Sequence, residues 1–321
     1  MADSRPSTAD VDPDEVQVKI GRVREEIAKR IVGQTGVIDQ ILACVLCDGN
    51  ALLESNPGLG KTSMVRTFAE VTDLSYSRIQ NTPDLMPSDI TGTEIIRETE
   101  SGREFEFSRG PVFANVVLAD EINRATPKTQ AALLEAMQEK QVTAAGETYD
   151  LPRPFFLLAT QNPIDQGGTY PLPEAQVDRF LFKILVDYPS FEEEVSIVDM
   201  YTKGAPTVEV ERVLSREEIV AAQQFTRDIP IADDIRDRVV RLVQSSRERE
   251  NIQYGASPRA SMGLVLAAKA HAFLRGENYV SWDDVESMAR PVLRHRLILD
   301  FRAEREGLTS DDVVETLLGE V

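Results

Sequence analysis

The sequence predicts an α/β protein: a parallel-sheet core with helices on both faces, followed by a smaller all-helical domain. Three observations predict this. Short apolar runs alternate with helical periodicity up to about residue 189, and strands separated by helices pair in parallel. A glycine-rich loop lies between the first apolar run and the next helical stretch. After Tyr188-Pro189-Ser190 only helical patterns follow.

Taken in order, residues 1–16 are polar and acidic and are expected to form a disordered tail. They lack the apolar stretch of a secretory leader. No apolar run reaches the roughly 18 residues a membrane span needs, so a cytoplasmic protein is expected. The core is expected over residues 17–189. Val16, Ile20, Val23, Ile27 and Ile31, then Val37, Ile38, Ile41 and Leu42, recur at helical spacing. Gly33-Gln34 divides them into two helices. The only cysteines, Cys44 and Cys47, fall in the apolar second helix with no further pair to complete a metal site, so they read as small buried residues. Ala51-Leu52-Leu53, Asn115 to Asp120, Phe155 to Thr160 and Phe182 to Val186 read as buried strands. Two segments interrupt the alternation, one from Gly92 to Arg109 with a turn at Ser101-Gly102, the other from Val142 to Leu151 with Gly146 at its centre. Both read as inserted hairpins. The helical domain, 190–321, is expected to contain helices over Phe191 to Tyr201, Arg216 to Arg227, Ala232 to Arg249, Pro258 to Leu274 and Trp282 to Leu293.

The chain has 321 residues and a net charge of −19, which suits two compact domains and disfavours a nucleic-acid partner, whose phosphates would meet a like-charged surface. Of its 35 basic residues, eight are lysines and 27 arginines. An acidic, lysine-poor surface suggests adaptation to a salty cytoplasm, because carboxylates hold water and counterions and salt screens their repulsion.

The chemistry begins at Ser55-Asn56-Pro57-Gly58-Leu59-Gly60-Lys61-Thr62-Ser63. Apart from Ser55 in place of the first glycine, this is the pattern G-x-x-x-x-G-K-[ST], set between a strand and a helix. Glycines let backbone N–H groups turn onto phosphate oxygens, and the helix N-terminus adds partial positive charge. Asn56, Pro57, Gly58, Leu59, Gly60, Lys61, Thr62 and Ser63 are therefore expected to bind the phosphates of ATP. Lys61 would reach the β- and γ-phosphates, and the Thr62 hydroxyl would hold Mg²⁺. Asp120-Glu121 ends a buried strand, where open α/β sheets bind ligands. Asp120 can hold Mg²⁺ through water, and Glu121 can act as the base that orients the attacking water. Asn162, after the third strand, can hydrogen-bond that water or the γ-phosphate.

The block Leu118-Ala119-Asp120-Glu121-Ile122-Asn123-Arg124-Ala125, the run Lys128 to Glu139 (KTQAALLEAMQE), Ala159-Thr160-Gln161-Asn162-Pro163, and Gly168 to Phe180 (GTYPLPEAQVDRF) resemble the MoxR family of AAA+ ATPases. The resemblance spans about residues 18–310, and that family tolerates a non-glycine at the position of Ser55. It implies a P-loop NTPase core with a helical lid. It implies that Val32-Gly33-Gln34 packs on the adenine, that Asn162 is the sensor-1 residue and Arg259 the sensor-2 arginine. Arg179 looks like the arginine finger that reaches the ATP of a neighbouring subunit. Ser257 and Pro258 suit the N-cap and first position of the helix carrying Arg259. The two hairpins resemble insertions near the ring pore. The resemblance further implies a homo-oligomer, expected to be a hexameric ring, and chaperone-like remodelling of client proteins, often ones with a von Willebrand factor A domain. A DNA or RNA motor and a non-hydrolysing, nucleotide-gated scaffold are the alternatives.

Overall fold

The computed structural model of the protein describes residues 11–99, 102–144, 146–163, 168–202 and 208–321. Most of the predicted tail (residues 1–10) and Ser101 of the first predicted turn lie outside the described residues. Helix α1 (Pro13–Ala28) begins earlier than expected, so residues 13–16 are helical rather than part of the tail. Asp12 caps it, accepting from the Asp14 amide at 3.0 Å, and Pro13 starts it.

The core then runs α2 (Thr35–Leu46), β1 (Ala51–Ser55), α3 (Lys61–Val71), β2 (Tyr76–Gln80), α4 (Pro87–Thr91), β3 (Gly92–Thr99), β4 (Gly102–Arg109) and β5 (Val116–Asp120). It continues through α5 (Pro127–Glu139), β6 (Gln141–Ala144), β7 (Glu147–Asp150), β8 (Phe156–Gln161), α6 (Glu174–Val177) and β9 (Phe182–Val186). Five strands form one parallel sheet in the order β2-β5-β8-β1-β9. Alternate residues serve two cores, as strand geometry requires. Ala51, Leu53, Val116, Leu118, Phe156 and Leu158 face one apolar cluster, whereas Leu52, Val117, Ala119, Leu157 and Ala159 face the other. With both faces covered, these strands are apolar throughout, which is why they stand out in the sequence. Edge strand β2 does not: Tyr76-Ser77-Arg78-Ile79-Gln80 buries only Ile79, and no apolar run marks it.

Helix α2 packs among α1, α8, α10 and β9 and buries Cys44 and Cys47, whose thiols burial pushes up, away from reactivity. Both inserted segments are antiparallel hairpins, β3–β4 and β6–β7. The ring of Phe107 in the first stacks on Tyr149 of the second, with centroids 4.2 Å apart.

The second half contains α7 (Phe191–Thr202), α8 (Arg216–Asp228), α9 (Asp233–Ser245), β10 (Ile252–Tyr254), α10 (Pro258–Leu274), α11 (Trp282–Leu293), β11 (Ile298–Leu299), α12 (Phe301–Arg305) and α13 (Ser310–Glu320). Among its described residues, its regular structure is helical apart from one short antiparallel pair, β10–β11, where an all-helical domain was expected. The helix expected from Ala232 to Arg249 is shorter, because Ala232 is the N-cap and the last helical residue is Ser245. The apolar cluster on the α1–α2 side of the sheet continues without a break into α8, α9, α10, α11 and α13. No helix among the described residues is long and apolar enough to cross a membrane.

Candidate active site

The C-terminal ends of the five parallel strands lie along one edge, and the loops that leave them carry most of the predicted chemistry. Beyond β1, Asn56 to Gly60 form the loop and α3 starts at Lys61. Gly58 (φ +84°) and Gly60 (φ +73°) sit in the left-handed region that glycine adopts without strain. Open space surrounds both Cα atoms, where a Cβ would meet nothing. The structure also accounts for Ser55: it is the last residue of β1, paired in register with Val186, so its extended backbone has no need of glycine. Lys61 Nζ folds back to 3.5 Å from the Ser55 carbonyl. Burial lowers the pKa of its ammonium, while Asp120 and Glu121 pull the other way. A partly desolvated cation beside an open, glycine-containing loop at a helix N-terminus suits a polyphosphate.

Asp120 ends β5, where side chains from two neighbouring strands hold its carboxylate. Thr160 Oγ1 donates to its Oδ1 at 2.7 Å, and Arg78 donates to its Oδ2 through Nε at 3.2 Å and Nη2 at 2.5 Å. The same Thr160 hydroxyl accepts the Glu121 amide at 2.9 Å. Glu121 itself adopts φ 54°, ψ 53°, a left-handed conformation that costs a residue with a side chain roughly 1–2 kcal/mol. Its carboxylate takes a hydrogen bond from Gln80 Nε2 at 3.0 Å and lies 3.4 Å from Arg124 Nε. Strain at a candidate base, held by side chains from two strands, is a pattern of functional sites. Arg78, Gln80 and Thr160 were not singled out from the sequence; the first two sit on the edge strand that carries no apolar signal. Asn162 follows β8 on the same edge, half-buried.

The remaining predicted residues fall into two places. Val32, Gly33 and Gln34 link α1 to α2. Gly33 adopts φ +68°, which favours glycine, and a Cβ there would push against the flexible end of the Glu193 side chain, 2.2 Å from its Oε1. Gln34 Nε2 donates to the Asp187 carbonyl at 3.0 Å, so this linker docks where β9 passes into α7. Arg179 is exposed and donates to Gln138 on α5. Ser257 caps α10 as expected, with Pro258 at its start. Arg259, one residue on, pairs with Asp178 at 3.4 Å, next in sequence to Arg179. Asp178 and its partner Arg296, at 2.9 Å, went unnoticed in the sequence because 118 residues separate them. Thus Lys61, Asp120, Glu121 and Asn162 share one edge of the sheet, while Arg259 pairs with Asp178 and Arg179, the next residue in sequence, turns to Gln138.

Among the described residues no three His, Cys, Asp or Glu side chains form a metal cage. Mg²⁺ keeps several waters and binds through one or two protein groups plus phosphates, and a hydroxyl and a carboxylate such as Thr62 and Asp120 have the oxygen chemistry it takes.

Comparison with known proteins identifies the family and the fold. The model of the ATPase family associated with various cellular activities (AAA) matches residues 50–182, and that of the AAA lid domain matches residues 244–317. Chaperone MoxR1 of Mycobacterium tuberculosis is 45% identical over 91% of this chain and 79% of its own. The uncharacterised protein YeaC of Bacillus subtilis is 43% identical over 94% of both chains. The crystal structure of a candidate ATPase from Cytophaga hutchinsonii superposes with a TM-score of 0.90 at 41% identity, covering 96% of each chain. A parallel five-stranded core with a helical lid, the loop, the strand-end carboxylates and these relatives lead to one assignment: the chain belongs to the MoxR family of AAA+ ATPases.

Proposed function

We propose that the protein hydrolyses ATP to ADP and phosphate at sites shared between neighbouring subunits of a ring, expected to be a hexamer, and uses the cycle to remodel client proteins. The observation that carries this is the meeting of Lys61, Asp120, Glu121 and Asn162 at one edge of the sheet while Arg179 lies exposed. An exposed guanidinium, in a head-to-tail assembly that closes, can serve the next subunit. In this reading the amides of residues 56–62 and Lys61 Nζ hold the β- and γ-phosphates. Glu121 Oε accepts a proton from the attacking water and Asn162 orients it. Arg179 from the neighbour and Arg259 from the lid offset the charge that develops on the transferred phosphoryl group. Mg²⁺, held by Thr62 and through water by Asp120, would supply further charge neutralisation. Val32-Gly33-Gln34 is assigned to the adenine. The client class, proteins with a von Willebrand factor A domain, rests on family resemblance. Two nucleotide-dependent states of the ring would grip a client with different affinity, by a typical coupling of ~1–3 kcal/mol.

Two substitutions separate binding from turnover. Lys61→Ala should lose ATP binding, because the loop loses its cation. Glu121→Gln should bind ATP as wild type does and release phosphate at least ~100-fold more slowly, the usual order for losing a general base. Equal ATP affinity in Lys61→Ala and wild type, measured by calorimetry, would sink the assignment.

A further inference from the structure

Arg296 belongs to the lid, between α11 and β11, yet its guanidinium is buried in the core, with only 3% of the side chain exposed. All five of its N–H donors are used. Nε donates to Asp178 Oδ1 at 2.9 Å, and Nη2 to the Asp178 carbonyl at 3.2 Å and the Phe180 carbonyl at 2.6 Å. Nη1 donates to the Leu181 carbonyl at 3.0 Å and to the Val292 carbonyl on its own α11. Four of the five bonds therefore close around residues 178–181, the segment that presents Arg179. His295 Nε2 adds a bond to the Phe180 carbonyl at 3.1 Å, and Arg294 Nη1 one to the Lys183 carbonyl at 3.4 Å. A planar fork with five fixed donors can hold a backbone segment in one orientation as no lysine can.

Asp178 is also the point where the lid's second cation arrives. Arg259 Nη1 lies 3.4 Å from Oδ2, and Ser257 Oγ donates to the same oxygen at 3.3 Å. Arg259 is half exposed, whereas Arg296 is enclosed. The carboxylate thus has one enclosed partner and one that water, or an anion, can reach.

We propose that Asp178, clamped by Arg296 and shared with Arg259, is the positioning residue for Arg179: it fixes the guanidinium that each subunit offers to its neighbour's ATP. This rests on the shared-site reading above. Asp178 touches neither ATP nor the attacking water. It acts through the backbone it holds, and because the lid supplies both of its cations, lid position and finger position change together.

The test is cross-complementation of turnover in mixtures of full-length variants. The reference pair is Lys61→Ala, which cannot bind ATP but still offers its finger, and Arg179→Ala, which binds ATP but offers none. Mixed, they recover turnover that each lacks alone. Asp178→Asn keeps the side chain's shape and removes its charge. It should bind ATP within about twofold of wild type and turn over at least ~10-fold more slowly, a loss of about 1.4 kcal/mol in transition-state stabilisation. Turnover should recover when it is mixed with Lys61→Ala and stay low when it is mixed with Arg179→Ala. Arg296→Lys, a second variant that keeps the charge but not the fork, should give the same pattern. A merely structural defect would show neither asymmetry. The reverse pattern, rescue by Arg179→Ala and not by Lys61→Ala, places the defect in the subunit's own site and overturns the proposal, as does wild-type turnover in Asp178→Asn. If the reference pair itself fails to recover activity while Asp178→Asn is slow, the shared-site reading fails, and the proposal with it.

Discussion

Lys61 has to carry a positive charge in a place where burial disfavours it. Its pKa lies below the ordinary value of 10.5, chiefly through desolvation, with Asp120 and Glu121 opposing. A phosphate group beside it would favour the charged form, so the bound pKa lies above the free one. By linkage, ATP affinity should be level at pH values below the free pKa and fall as pH rises through it. The loss is at most tenfold for each unit between the two pKa values, since one unit is 1.36 kcal/mol. Calorimetric titration from neutral pH through the ordinary lysine value of 10.5 checks this; affinity still flat above that value contradicts a lysine contact. At this scale the sequence was legible wherever chemistry demands adjacency. Gly58, Gly60, Lys61 and Thr62 must be close in the chain to form one phosphate loop, and Asp120-Glu121 must follow one strand. Arg78 on Asp120, across 42 residues, and Arg296 on Asp178, across 118, are set by folding, and nothing local to either arginine marks it.

Among elements, the central strands were legible because both faces are buried, and β2 was not because it lies at the edge. The α1–α2 boundary was legible through Gly33-Gln34, and the structure shows why a glycine stands there. Gly33 combines a positive φ with a Cβ position 2.2 Å from Glu193. Gly36, three residues on in α2, has nothing within 4 Å. Gly33→Ala should therefore destabilise the fold by roughly 1–2 kcal/mol or more, the cost of a left-handed residue with a side chain, and weaken ATP binding if this linker meets the adenine. Gly36→Ala should stabilise by roughly 0.5–1 kcal/mol, the ordinary gain inside a helix. Urea unfolding of both variants measures the contrast; equal effects would contradict the left-handed constraint at Gly33. Helix α12 leaves little trace in the sequence, being five residues long and opened by the exposed Phe301; α13 does carry a signal, a Thr309–Asp312 capping box ahead of the buried Val313, Val314 and Leu317, which was not singled out from the sequence.

The whole molecule carries a net charge of −19, with arginine far outnumbering lysine. If the surface is suited to high salt, its self-repulsion should grow as the Debye length rises from ~3 Å at 1 M to ~10 Å at 0.1 M. Circular dichroism should then show structure being lost as KCl falls from molar to ordinary buffer levels; an unchanged melting temperature across that range rejects salt adaptation. The same charge predicts that duplex DNA and RNA leave turnover unchanged. Assembly is the property that a single chain shows least, because a shared site needs residues from two copies. Arg179, exposed and bonded to Gln138, has its proposed task outside the subunit that carries it. The central claim is that two subunits complete each ATP site, and the measurement that tests it most directly is ATP turnover in a mixture of Lys61→Ala and Arg179→Ala chains. Each variant alone should be inactive, and the mixture should recover a measurable share of wild-type turnover, because one chain binds ATP and the other supplies the arginine. A mixture as inactive as its two components, in assemblies shown to contain both chains, would contradict the account.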